Sequence, residues 1–107
     1  MVLEECLNSV QKFPPSFPYD IFVVDNNSSD DSVHFLKNKK KEFGERLNLI
    51  LNQENIGFGR ANNQAMRVSN AEYFFLLNSD AEVTPGAIDK LVELADKDQR
   101  IGIVGPK

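Results

Sequence analysis

The sequence has little cysteine, no tryptophan, no long apolar run and no excess of positive charge. Its one cysteine, Cys6, cannot form an internal disulfide bond, which excludes a disulfide-stapled scaffold and favours a reducing compartment. No apolar run approaches the ~20 residues that a membrane span requires, and the first residues lack the pattern of a signal peptide. We therefore expect a cytoplasmic protein, which in a full-length form could work at the membrane face.

The charge balance disfavours one class of partner. The 107 residues contain 12 Lys and Arg against 16 Asp and Glu, a net charge of −4 that argues against a groove for nucleic acid. The composition, 41% hydrophobic and 26% charged, is that of a globular protein. A chain of this size buries roughly 65% of its unfolded surface. We expect a single domain over residues 1–107 with one modest core.

Helical and strand patterns alternate along the chain. Apolar residues at helical spacing predict helices over about 2–12, after the turn-forming residues 26–31, and through 61–68. Thr84 and Pro85 predict the N-cap and first residue of a further helix. Short apolar runs predict strands at 21–24, 47–51, about 72–77 and 101–104. This alternation indicates an α/β fold, a Rossmann-like and mainly parallel sheet with flanking helices.

The most apolar run, residues 74–77, ends abruptly at polar side chains. Asn78 and Asp80 follow it, just as Asp25 follows the earlier run 21–24. Because ligands of parallel sheets bind beyond the carboxyl ends of the strands, we expect Asp25 and Asp80 to lie along one edge. Two carboxylates there suit a nucleotide held partly through Mg²⁺ or Mn²⁺, since such a cation bridges one or two carboxylates to a diphosphate.

Other interpretations of these residues stay open at this point. Asp25 could cap the helix that follows it, and Asp80 could be an ordinary turn residue. Gly57 and Gly59 resemble a dinucleotide-binding fingerprint, but Asn62 occupies the third glycine position, which disfavours a Rossmann dehydrogenase. A phosphoacceptor receiver domain has similar length and strand-end acids, but it begins with a strand rather than a helix. The residues alone indicate a nucleotide or phosphate binder.

Three stretches, taken in order, resemble family 2 glycosyltransferases, enzymes with the GT-A fold. They are residues 21–30 (IFVVDNNSSD), residues 55–63 (NIGFGRANN), and residues 73–80 (YFFLLNSD) followed by Thr84-Pro85-Gly86. The rhamnosyltransferase-like members of the family are the most similar. The resemblance implies transfer of a sugar, with inversion, from a nucleoside-diphosphate sugar to a hydroxyl of a glycan or lipid-linked acceptor in cell-wall or polysaccharide biosynthesis.

The resemblance also implies roles for individual residues. Asp25 would accept a hydrogen bond from the nucleobase, and Asp80 would ligate the Mn²⁺ or Mg²⁺ that grips the diphosphate. Asn78 stands where many relatives have the first acid of an Asp-x-Asp motif, so it would bond a ribose hydroxyl without adding charge. The other nucleotide-sugar-binding residues that the resemblance implies are Asn27, Asn55, Gly57, Arg60 and Asn63, with Arg60 a partner of the diphosphate.

The resemblance covers only the donor-binding half of a GT-A domain. The general base of the family would lie beyond Lys107 and the first strand would precede residue 2, so we expect this chain alone to bind a donor but to transfer no sugar. Without a central strand, two strand edges stay unpaired, which favours a homodimer. The alternative is a noncatalytic nucleotide-binding or interaction module.

Overall fold

The computed structural model of the protein describes residues 2–26, 32–98 and 100. In chain order its elements are α1 (Val2–Lys12), β1 (Ile21–Asn26), α2 (Ser32–Phe43), a 3₁₀ turn (Gly44–Arg46), β2 (Leu47–Asn52), α3 (Phe58–Val68) and α4 (Ala87–Asp96). The predicted α/β class is confirmed. The chain divides into a central unit, Tyr19–Phe74, and a terminal unit made of the stretches on either side of it. None of the described helices is long and apolar enough to cross a lipid bilayer.

A two-stranded parallel sheet organises the central unit. β1 and β2 pair in register, from Ile21 opposite Leu47 to Asn26 opposite Asn52, and α2 supplies the crossover that parallel strands require. α2 packs on β2 and α3 packs on β1. Leu36 of α2 and Leu47 at the start of β2 are 1% and 0% exposed, so they form the centre of this core. The register brings the last residues of both strands side by side at the carboxyl end of the sheet.

The terminal unit buries one face of α1. Cys6, Leu7 and Val10 of this helix are buried, and so is Val83 in the segment that precedes α4. The spacing of the three helical residues places them on a single face, as the sequence predicts. Cys6 thus lies in the core as a small apolar residue. Beyond α1, the backbone N–H of Ser16 donates to Oδ1 of Asp89, in the first turn of α4, at 3.0 Å.

The strand predicted at about 72–77 is not formed, which corrects the interpretation of the most apolar run. These residues have no regular secondary structure, and Tyr73, Phe74, Phe75 and Leu76 are 40%, 46%, 44% and 56% exposed, whereas an inner strand of a parallel sheet is buried on both faces. An apolar run becomes a strand only where a neighbouring strand completes its backbone hydrogen bonds. Within the described residues, β1 and β2 pair only with each other. The strand predicted at 101–104 lies outside the described residues.

α4 begins later than the sequence predicts. Its first residue is Ala87 and not Pro85, and Gly86 precedes it at φ +73°, ψ +3°. The N–H of Ala87 donates to the carbonyl oxygen of Thr84 at 3.2 Å. Pro followed by a left-handed Gly is the signature of a type II turn, so Thr84, Pro85 and Gly86 form a turn before the helix rather than its first residues.

Candidate functional site

Asp25 lies one residue before the end of β1 and is 6% exposed. In the parallel register it stands opposite Leu51 of β2. The sequence places this carboxylate at the carboxyl end of a strand, and the structure agrees. Burial restricts the rotamers that this side chain can adopt.

Three side-chain amides link β1, β2 and α3 beside Asp25, and we call them the amide network (Asn26, Asn52 and Gln64). Nδ2 of Asn52 donates to Oδ1 of Asn26 and to Oε1 of Gln64, both at 2.9 Å. Nε2 of Gln64 donates back to Oδ1 of Asn52 at 2.9 Å. The network therefore fixes where the two strands end relative to α3.

The sequence did not single out Asn52 or Gln64. The only signal that could have indicated Asn52 is that it directly follows the strand predicted at 47–51. Asn26 likewise lies just beyond the strand predicted at 21–24. Parallel strands of equal length bring such residues together, provided that the register is known.

Gly57 and Asn55 shape the loop between β2 and α3. Gly57 has φ +88° and ψ +161°, a conformation essentially confined to glycine. Its N–H donates to Oδ1 of Asn55 at 2.9 Å, and its carbonyl oxygen accepts the N–H of Ala61 at 3.1 Å. Nδ2 of Asn26 approaches that same oxygen at 3.5 Å. Asn55 thus stabilises the turn that precedes α3.

Replacing Gly57 with alanine is expected to destabilise the protein by about 1–3 kcal/mol, because any Cβ at this backbone conformation is strained. Gly59 is the matched control, since it lies within α3, lacks a positive φ, and has no heavy atom within 4 Å of an added Cβ. Gly59→Ala should leave stability unchanged or raise it by up to about 1 kcal/mol. Urea unfolding of both variants measures the difference, and an equal effect of the two changes would contradict the strain at Gly57.

In the terminal unit, residues 78–83 form what we call the acidic loop. The N–H of Ala81 donates to the carbonyl oxygen of Asn78 at 3.0 Å, which closes a turn with Asp80 exposed in its third position. The Cys6 thiol donates to the same oxygen at 3.6 Å. Burial raises the pKa of the Cys6 thiol, and the negative charges of Asp80 and Glu82 raise it further. A thiol whose pKa is raised stays protonated at neutral pH, so Cys6 can donate this bond.

The acidic loop fits a cation that is shared with a ligand, but not one held by protein alone. Asp80 and Glu82 are both exposed carboxylates. Across the residues that the structure describes, no three His, Cys, Asp or Glu side chains converge to hold a metal ion. Mg²⁺ and Mn²⁺ at diphosphates commonly take one or two carboxylates from the protein and the remaining oxygens from phosphate and water. The donor set matches that case.

The predicted site residues divide between the two units. Asp25, Asn55, Gly57, Arg60 and Asn63 belong to the central unit, and Asn78 and Asp80 to the terminal unit. Arg60 and Asn63 are exposed on α3, so both are accessible to a ligand. Asn27 lies outside the described residues. That Asp25 and Asp80 share one edge stays a prediction.

Comparison with known proteins identifies a family and a distant relative. The model of the family described as glycosyl transferase family 2 matches residues 2–106. The chain is 26% identical over 99 residues to a poly(ribitol-phosphate) beta-glucosyltransferase of Bacillus spizizenii. That alignment covers 92% of this chain but only 16% of the relative, so the chain spans a small part of that protein's length. No solved structure matches the chain.

Proposed function

Because this chain belongs to glycosyl transferase family 2, we propose that it forms the donor-binding half of an enzyme that transfers a sugar. The donor is a nucleoside-diphosphate sugar, the acceptor is a hydroxyl group, and the transfer proceeds with inversion. The observation that carries the proposal is the family match over residues 2–106. The buried Asp25 at the strand end and the exposed Asp80 in its turn support it.

The nucleoside is the part of the donor that the central unit is proposed to hold. Asp25 accepts a hydrogen bond from the base, because a carboxylate of fixed direction can discriminate donor groups on a base edge. Asn55 and Gly57 form the loop that Asn26 contacts, and the exposed Arg60 and Asn63 of α3 contact the rest of the nucleotide. A guanidinium at Arg60 suits the diphosphate, since it can bond two phosphate oxygens at once.

The diphosphate is the part that the acidic loop is proposed to hold, through Mn²⁺ or Mg²⁺. Asp80 ligates the cation, and the side-chain amide of Asn78 bonds a ribose hydroxyl. When bound, the metal neutralises charge on the departing diphosphate, which lowers the barrier to its release. The acceptor needs a general base to take its proton. We assign that base to no residue of this chain.

The proposed acceptor and setting are drawn by analogy with the family and the relative. The relative is named for glucosyl transfer to poly(ribitol-phosphate), and we propose a glycan or lipid-linked acceptor of cell-wall or polysaccharide biosynthesis for this chain. A rhamnosyltransferase-like donor preference and a cytoplasmic site of action at the membrane face belong to the same proposal. The homodimer is also proposed, supported by the four exposed apolar side chains at residues 73–76.

Calorimetry tests the proposed function directly. UDP, UDP-glucose and dTDP-rhamnose are titrated into the protein with Mn²⁺ and with EDTA, and at least one is expected to bind, more tightly with Mn²⁺. Binding of none of them under either condition would contradict the proposal. Phosphorylation of an aspartate by acetyl phosphate would instead support a receiver domain. A nucleotide affinity that is the same with Mn²⁺ and with EDTA would favour a noncatalytic nucleotide-binding module.

A further inference from the structure

Ser9 of α1 is a buried polar residue that the proposed function does not use. Its side chain lies in the core of the terminal unit, where the residue is 9% exposed. The hydroxyl Oγ donates to the carbonyl oxygen of Cys6 at 2.7 Å and accepts the N–H of Val83 at 2.8 Å. Ser9 therefore joins α1 to the last residue of the acidic loop.

Cys6 makes the matching contact at the other end of that loop. Its thiol donates to the carbonyl oxygen of Asn78, the first residue of the loop, at 3.6 Å. Residues three apart lie on one face of a helix, so Cys6 and Ser9 together contact both ends of residues 78–83. Asp80 and Glu82 lie between these two attachment points, on a stretch whose ends α1 holds.

The two contacts differ in strength, and Ser9 makes the stronger one. A thiol is a weak donor, whereas the Ser9 hydroxyl accepts from a buried backbone N–H at a short distance. The bond that Ser9 donates to Cys6 fixes the rotation of its O–H, which leaves a lone pair facing Val83. Without this oxygen, the Val83 N–H would be buried and unsatisfied, and the loop would have to move to reach water.

We propose that Ser9 is a positioning residue for Asp80: through the Val83 N–H it holds the acidic loop in the form that presents the Asp80 carboxylate to a metal–diphosphate. This inference rests on the proposed function of Asp80. Ser9 itself touches neither the metal nor the nucleotide. Its removal is therefore expected to lower the effect of the metal and not the affinity for the nucleoside.

The test measures the dissociation constant of UDP by calorimetry in EDTA and in Mn²⁺. We call the dissociation constant in EDTA divided by that in Mn²⁺ the metal gain. Ser9→Ala is expected to lower the metal gain about three- to tenfold, the size of one lost hydrogen bond, and to leave the affinity in EDTA unchanged. Ser9→Thr keeps the hydroxyl and should keep the gain. Amide exchange of Val83, followed by NMR without metal, should be faster in Ser9→Ala than in Ser9→Thr.

Val10→Ala is the control for a general loss of stability. Val10 is the next residue of α1, is 7% exposed, and makes no contact with the loop through a side-chain hydrogen bond. The Val10→Ala substitution should lower the melting temperature at least as much as Ser9→Ala does, and yet it should keep the metal gain of the wild type. The role of Ser9 would be overturned if Val10→Ala lowered the metal gain as much as Ser9→Ala does, or if Ser9→Ala kept the wild-type metal gain. Either result would leave the proposed role of Asp80 standing. A wild-type protein without any metal gain would overturn the proposed role of Asp80, and the inference with it.

Discussion

Asp80→Ala is expected to abolish the gain in nucleotide affinity that Mn²⁺ or Mg²⁺ produces. The carboxylate is exposed at the third position of a closed turn, so it can reach a cation without leaving the turn. Loss of one charged ligand from a hard-cation site costs about 1.5–3 kcal/mol or more, roughly tenfold to a hundredfold in affinity. UDP titrations of the wild type and the variant, each with Mn²⁺ and with EDTA, measure the effect.

Two variants sharpen the interpretation of that experiment. Asp80→Asn keeps the size of the side chain and removes its charge, so it should behave as Asp80→Ala does. Glu82→Ala removes the other exposed acid of the same loop. It should reduce the metal-dependent gain in affinity less than Asp80→Ala does, because Glu82 is not the proposed ligand. If Asp80→Ala retains the metal dependence of the wild type, Asp80 is not the ligand. If Asp80→Ala and Glu82→Ala lower the metal-dependent affinity equally, the loop acts through its total charge.

Asp25→Asn is expected to weaken nucleotide binding equally with and without metal. The carboxylate is proposed to accept a hydrogen bond from the base, and an amide of the same size accepts it less well. The loss should be about 1.5–3 kcal/mol, the value of a hydrogen bond to a charged group. The measurement is the affinity for UDP in Mn²⁺ and in EDTA, together with urea unfolding to confirm that the variant is folded.

Asp20→Asn is the control for this change. It is the same substitution one residue before β1, at an exposed carboxylate. It should bind UDP as the wild type does. A folded Asp25→Asn protein with wild-type affinity in both buffers would remove Asp25 from the nucleotide site and favour the alternative that it caps the helix that follows it. A loss seen only in Mn²⁺ would place Asp25 at the metal instead of the base.

The elements that the sequence predicts best are those with local causes. α1 occupies Val2–Lys12, as its apolar spacing predicts, because a helix closes its hydrogen bonds within itself. β1 and β2 form where the apolar runs at 21–24 and 47–51 predict strands. The run at 74–77 fails for a nonlocal reason, since a strand needs a partner that its own residues cannot supply. The late start of α4 has a local cause that was misinterpreted, because Pro85-Gly86 suits a turn as well as a helix start.

The candidate site divides in the same way. Asp25 directly follows the apolar run 21–24 and Asp80 lies three residues beyond the run 74–77, which is why the sequence indicates both as candidates. The family to which the motifs pointed is confirmed by the match over residues 2–106. Asn52 and Gln64 were missed because they become partners only through strand register and the placement of α3. Ser9 was missed because a serine inside a helix gives no sign of whether its hydroxyl bonds only its own helix.

The amide network determines how this end of the sheet responds to solution conditions. Asn26, Asn52 and Gln64 carry no charge and exchange no proton in the range where proteins stay folded, so their mutual bonds are indifferent to pH and are barely screened by salt. We therefore expect these bonds to keep the spacing of β1, β2 and α3 unchanged by pH or salt. A change of nucleotide affinity with pH or ionic strength would then arise from the ligand and from the charged groups that contact it, and not from the amide network.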